Sequence, residues 1–250
     1  MDAKEKMDEK KDSCKTMKSR ISYFFIILIT PIIIFSLGVV PLLFWLIFLF
    51  LIITYNIVIY LLIAPLIFIL SIFILIVSEM FITGFFVKLF RIRYQEGTYE
   101  YSYNNYNTIK WILICQLYTP IRKILEIFPM GEMKIAYYRL MGMKIGKNSL
   151  VGGVIKDPCM TEIGDNVTIG EYAIIYAHMH NKTENTISIK PVKIGNNCIV
   201  GAGAIIMPGV IMEDNSILAA AGVALKNNVL KKNRIYGGNP AKEIKKIRKK

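Results

Sequence analysis

The sequence predicts an all-β solenoid of short parallel strands, preceded by an α-helical transmembrane region. Three observations carry that prediction. From Ile145 an aliphatic residue recurs every six positions, often followed by glycine: Ile145-Gly146, Val151-Gly152, Asp157-Pro158, Ile163-Gly164, Ile169-Gly170 and Ile175-Tyr176. After a break at residues 181–193 the pattern resumes, shifted by one, through Ile194-Gly195, Val200-Gly201, Ile206, Met212, Leu218, Ala224 and Leu230. Four residues after these positions a small side chain returns, as at Ser149, Thr161, Ala173, Cys198, Ala204, Ser216 and Gly222. Finally, residues 21–78 carry no charged side chain, a run long enough for more than one membrane crossing.

A short fixed period is the mark of a solenoid. Six residues make one strand and one corner, and three such units close a triangular coil that stacks on the next by parallel backbone hydrogen bonds. Branched Ile and Val suit the pleated inner surface, and the small residues suit a cramped corner. Gly146, Gly164, Gly170, Gly195 and Gly201 fall where corners are expected to demand unusual backbone angles. Four coils start at Ile145, Ile163, Ile194 and Met212, and a partial coil spans residues 230–241. An open last edge needs a cover, and the Lys-rich tail after Pro240 reads as a short capping helix with a basic outer face.

In the apolar block, Tyr55-Asn56 separates two spans near 22–53 and 57–78, with Pro31, Pro41 and Pro65 as kinks or ends and a third short embedded segment near 81–90. A secretory signal peptide is not expected, because the run is too long and residues 1–20 mix acids with bases. Lys15, Lys18 and Arg20 precede the block, and Lys88, Arg91 and Arg93 follow it. With an even number of spans both flanks face the cytoplasm. The expectation is therefore a multi-pass protein of the cell (inner or plasma) membrane with its repeat domain cytoplasmic. The domain plan is a charged N-terminus (1–20), membrane helices (21–93), a linker (94–144), the repeat domain (145–241) and a basic tail (242–250). Within the linker, residues 111–128 suit either a helix lying in the interface with its basic groups toward lipid headgroups or a helix packed on the first coil.

The net charge is +13, but residues 231–250 alone hold nine bases against one acid, and most of the remainder flanks the apolar block. That distribution favours anionic lipids over nucleic acid, and no nucleic-acid-binding motif is present. Cys14, Cys115, Cys159 and Cys198 are scattered, without metal-ligand or disulfide spacing.

Three stretches carry a resemblance: 139–146 (Arg-Leu-Met-Gly-Met-Lys-Ile-Gly), 163–170 (Ile-Gly-Asp-Asn-Val-Thr-Ile-Gly) and 237–242 (Gly-Gly-Asn-Pro-Ala-Lys). From about Tyr137 to Lys242 the chain resembles the hexapeptide-repeat acyltransferases, which fold as a left-handed parallel β-helix. A wider likeness links the spans, Ile109-Lys110-Trp111, Asp157-Pro158 and the following histidine to one unit of the membrane-embedded tail of ε-poly-lysine-synthetase-like proteins. The resemblance implies a homotrimer, acetyl-CoA as acyl donor, no metal, and a histidine as general base, a role that imidazole suits because it titrates near neutrality. The chain's only histidines are His178 and His180. The synthetase tails point to His178 and the sugar acetyltransferases to His180; with Met179 inward, both are expected to face outward. Asp157 is a candidate either to orient the base or to cap a corner before Pro158. By the same resemblance Gly201, Ala202, Ala220 and Ala221 would receive the pantetheine arm, and Lys226 and Lys242 the phosphates. Gly152-Gly153 stands where the sugar enzymes carry an asparagine, a departure that argues against a simple sugar acceptor. Residues 181–193 would cover the acceptor pocket. The expected function is a membrane-anchored O- or N-acyltransferase for an envelope, lipid-linked or amine acceptor; the alternative is a non-catalytic trimeric scaffold.

Overall fold

A computed structural model describes residues 3–53, 57–127 and 131–247. The expected break at Tyr55-Asn56 and the last three basic residues lie outside the described residues. The chain divides into two compact units.

The first unit holds three helices: α1 (Ala3–Ile53), α2 (Ile57–Leu89) and α3 (Tyr106–Ile127). Two stretches, Phe25–Leu51 and Leu62–Leu89, are long and apolar enough to cross a membrane. Pro31, Pro41 and Pro65 all lie inside helices, and α2 runs unbroken through the region expected as a separate third segment. The α1–α2 contact is close at Gly38, where a Cβ would sit 2.2 Å from the Glu79 carboxyl carbon. Ser78 Oγ donates to the Gly38 carbonyl at 2.7 Å. α3 packs against α1 and α2 through Ile109, Leu113, Leu117, Ile121 and Leu125, which recur every four residues. Its Arg122 is buried and paired with Glu126, which does not suit the interfacial alternative for this base.

The second unit joins Arg93–Tyr101 to everything from α4 (Gly131–Leu140) onward. Its core is the predicted triangular left-handed β-helix. Its faces are parallel ladders of strands two to four residues long, extended on the second face by an antiparallel end strand, with five, six and four strands. On the first face Ile145, Ile163, Ile194, Met212 and Leu230 stack in register. On the second, Val151, Ile169, Val200, Leu218 and Tyr236 do so. The third holds Ile155, Ile175, Ile206 and Ala224. These stacked side chains are buried and form the core, apart from the half-buried Ile145 and Tyr236.

Three expectations change. The register position in the first coil is Ile155, not Asp157. Gly152-Gly153 tightens one corner, and the Pro158–Met160 3-10 turn lengthens the next, so the coil still closes on Ile163. The glycines after the aliphatic residues do not supply left-handed angles. That job falls to Asn148, Asn166, Asn197, Asn215 and Asn233, with φ of 52°, 55°, 56°, 58° and 55°; asparagine tolerates this region. Gly201 is needed instead because a Cβ there would lie 2.3 Å from the Ala220 nitrogen of the next coil. Finally, the described part of the tail is a strand and not a helix. Lys242–Lys246 runs as a strand antiparallel to Arg234–Gly237 and covers the open edge of the second face.

Candidate active site

The extra residues at the 155–161 corner bring Asp157 to a fully buried position. Although it starts the 3-10 turn, its side chain makes no capping hydrogen bond; the corner-capping alternative fails. The carboxylate accepts three other donors: Ala177 N–H at 2.9 Å, Tyr94 O–H at 2.8 Å, and the Nδ1 of His178 at 2.7 Å. Burial alone would push this carboxyl up. The His178 hydrogen bond and charge, the Ala177 amide and the Tyr94 hydroxyl together outweigh it and hold Asp157 below the usual carboxylate range. An ionised carboxylate can only accept, so the His178 nitrogen facing it carries a proton, and in the neutral imidazole Nε2 is then the nitrogen with the lone pair. The His178 side chain is 15% exposed, so the imidazole sits at the edge of solvent.

His178 stands on the strand His178–Asn181, which pairs antiparallel with Thr186–Ile189; this hairpin is the ordered form of the 181–193 excursion. Gly97–Glu100 joins as the third strand. His180 lies two residues on, with its ring 5.6 Å from that of His178 and edge-on to Tyr101 at 4.8 Å. Burial, then the charge of His178, lowers its pKa. The two histidines share one face of their strand, as period-two geometry requires. Their fates differ: His178 turns to the buried carboxylate, whereas His180 stays exposed.

Tyr94 was not legible as a site residue. It falls in a stretch read as linker and becomes 97% buried against Asp157 only because the following strand is recruited to the hairpin. Lys134 of α4 was also missed. Its buried ammonium donates to the carbonyls of Gly152 and Gly153 at 3.2 and 2.8 Å. A Cβ on Gly153 would lie 2.5 Å from the Ala173 oxygen, so glycine at this corner is dictated by coil packing.

On the corner between the second and third faces, Ala202, Gly203, Ala220 and Ala221 are exposed and stacked, Ala221 N–H donating to the Ala202 carbonyl at 2.9 Å. With no side chain beyond Cβ, this edge admits a long, thin ligand against the backbone. Gly201 lies at its base, and Lys242 pairs with Gly237 at its upper end. Lys226 is elsewhere, on the corner after the third face, where its neighbour Asn227 accepts from Lys190 at 3.0 Å. Among the described residues no three His, Cys, Asp or Glu side chains group together.

The sequence pattern of a family described as the hexapeptide repeat of succinyl-transferase matches residues 191–226. That stretch of the chain thus carries the hexapeptide-repeat pattern. The fold of its repeat domain agrees with that of a solved structure, a maltose O-acetyltransferase from Clostridium difficile 630. The two are 23% identical at a TM-score of 0.50, covering 62% of this chain and 94% of that one. Among curated relatives, mitochondrial gamma carbonic anhydrase 2 of Arabidopsis thaliana is 31% identical over 41% of this chain and 31% of its own. A candidate acetyltransferase of Saccharomyces cerevisiae is 36% identical over 39% of this chain and 51% of its own. The delta-poly-L-ornithine synthetase of Acinetobacter baumannii is 28% identical over 60% of this chain and 11% of its own. The chain thus spans about a third to a half of the length of the plant and yeast relatives.

Proposed function

We propose that this hexapeptide-repeat protein is a membrane-anchored acyltransferase that uses acetyl-CoA, with His178 as general base and an envelope, lipid-linked or amine acceptor. The Tyr94–Asp157–His178 chain of hydrogen bonds carries the reading. It fixes the tautomer of an imidazole at the mouth of a β-helix and places a buried negative charge behind it to stabilise the imidazolium. In the reaction, His178 Nε2 takes a proton from the acceptor hydroxyl or amine, and the acceptor atom attacks the thioester carbonyl. The C–S bond then breaks, and the proton on Nε2 passes to the departing thiolate. His180 serves at the acceptor side.

Donor and base sit on different edges of one prism. The bare edge at Ala202 and Ala220 lies between the second and third faces, whereas the hairpin bearing His178 leaves the chain after the third. A homotrimer, in which the donor edge of one copy meets the hairpin of the next, completes the site. The two apolar helices and the poly-ornithine synthetase likeness support a membrane anchor with the repeat domain in the cytoplasm.

The decisive experiment measures thiol release from acetyl-CoA by the full chain, with membranes supplied as acceptor source. His178→Ala is expected to lower the rate by about 10²–10⁴-fold, and His180→Ala by much less. Equal background rates for the wild-type protein and the double variant would leave a non-catalytic scaffold. A CO2-hydration assay run alongside tests the activity named for the Arabidopsis relative.

A further inference from the structure

The last coil holds a pocket that acyl transfer leaves unused. It measures about 320 Å³ and is lined by Glu213, Lys231, Lys232, Asn233, Arg234, Lys246 and Ile247. Its frame is fixed by backbone hydrogen bonds. Lys231 N–H donates to the Tyr236 hydroxyl and Lys232 N–H to Glu213 Oε2, both at 2.9 Å. Ile247 N–H reaches the Asn233 carbonyl at 2.8 Å, which ties the returning strand to the corner.

The acids nearby are engaged. Arg234 pairs with Glu243 on the neighbouring strand, and Glu213 is held by the Lys232 amide. Among the described residues, the ammonium groups of Lys231, Lys232 and Lys246 have no carboxylate partner. Three like charges on a pinned frame repel one another in the free protein, and a compact multivalent anion relieves that repulsion. Lysine ammonium groups act on phosphate as point charges, and the pocket is roomy enough for one phosphate or a diphosphate.

This pocket is not the donor edge. It lies at the corner between the first and second faces, whereas Ala202 and Ala220 lie at the corner between the second and third. Lys242 and Gly237 stand at the other end of the same strand pair. We infer that the pocket of Lys231, Lys232 and Lys246 binds a phosphate group other than that of the acyl donor, carried by a soluble phosphate compound or by a lipid headgroup. The inference is independent of the acyl-transfer reading.

The test titrates the full chain in neutral detergent with inorganic pyrophosphate, and separately with mixed micelles of phosphatidylglycerol or phosphatidylcholine. Saturable binding to pyrophosphate, to phosphatidylglycerol or to both is expected, with none to phosphatidylcholine; which arm binds identifies the source. The Lys231→Ala/Lys246→Ala variant is expected to weaken it at least tenfold. Lys147→Ala/Lys193→Ala, which removes the same charge from exposed sites on earlier coils, should change it less than twofold. Glu213→Gln, which removes the one repulsive group, should tighten it. Three results would overturn the inference: equal weakening by both double variants, displacement of the probe by coenzyme A, or no saturable binding in either arm.

Discussion

Asp157 is the residue on which the site turns, because an ionised carboxylate without exposure survives only if its donors replace lost water. Its pKa is lowered in the fold, so the stability it lends is present above the unfolded value near 4 and is lost as pH falls through the folded value. Asp157→Asn should therefore destabilise the repeat domain by on the order of 2 kcal/mol near neutral pH. The gap in thermal midpoint between the two proteins should hold down to about pH 4 and close below it; a gap independent of pH would show that Asp157 is not ionised. Tyr94→Phe removes one of the three donors and no apolar contact. We expect turnover to fall and the acid limb of the pH–rate profile to move, with the acetyl-CoA KM unchanged. A uniform loss in both parameters would mean that the tyrosine only holds the fold. The thiol of Cys159 beside it is pushed up to about 11, chiefly by burial, and should resist alkylation at neutral pH in the folded protein.

At the scale of the element, the coil is held by close backbone stacking and not by long side chains. The Gly201 and Gly170 positions meet the next coil at 2.3 and 2.6 Å from where a Cβ would stand. Gly201→Val is therefore expected to cost at least about 1–3 kcal/mol, the usual range for overpacking, whereas Gly203→Asn at an open left-handed corner (φ 66°) should cost much less. Chemical denaturation of the two variants checks the contrast. The last element answers to the same backbone accounting. Arg234–Gly237 would otherwise expose a row of unpaired donors and acceptors, and the Lys242–Lys246 strand satisfies them while placing charge on the new edge. Truncation after Ala241 should cause concentration-dependent association of the repeat domain, measurable by light scattering.

For the whole molecule, the separation of donor edge and base has a consequence that single-chain chemistry does not. Mixing a His178→Ala chain with an Ala202→Arg chain, each inactive alone, should restore about a quarter of the sites if random trimers form, because some interfaces then pair an intact base with an intact donor edge. Absence of any recovery in co-expressed, co-purified chains would place the whole site in one copy. The membrane reading makes its own demand. With two crossings, single cysteines introduced before α1 and in the repeat domain should react from the same side of sealed vesicles; opposite sides would remove the cytoplasmic assignment.

The β-helix was legible in the sequence because a buried face must repeat at the spacing of the backbone that carries it, and the helical block because its uncharged run is long enough to cross a membrane. The stacked Ile163, Ile194 and Met212 needed no coordinates. His178 and His180 stood out because they are the only imidazoles in the chain. Tertiary structure alone decided the first-coil register, where two compensating irregularities hide inside an unchanged coil length and deliver Asp157 to His178. It alone recruited Tyr94, which lies far away in sequence and carries no local signal. It alone chose a strand over a helix for the tail, since the deciding factor was an open sheet edge contributed by another segment. Local patterns record what a residue does for its own element; a hydrogen bond between distant segments leaves no period to read.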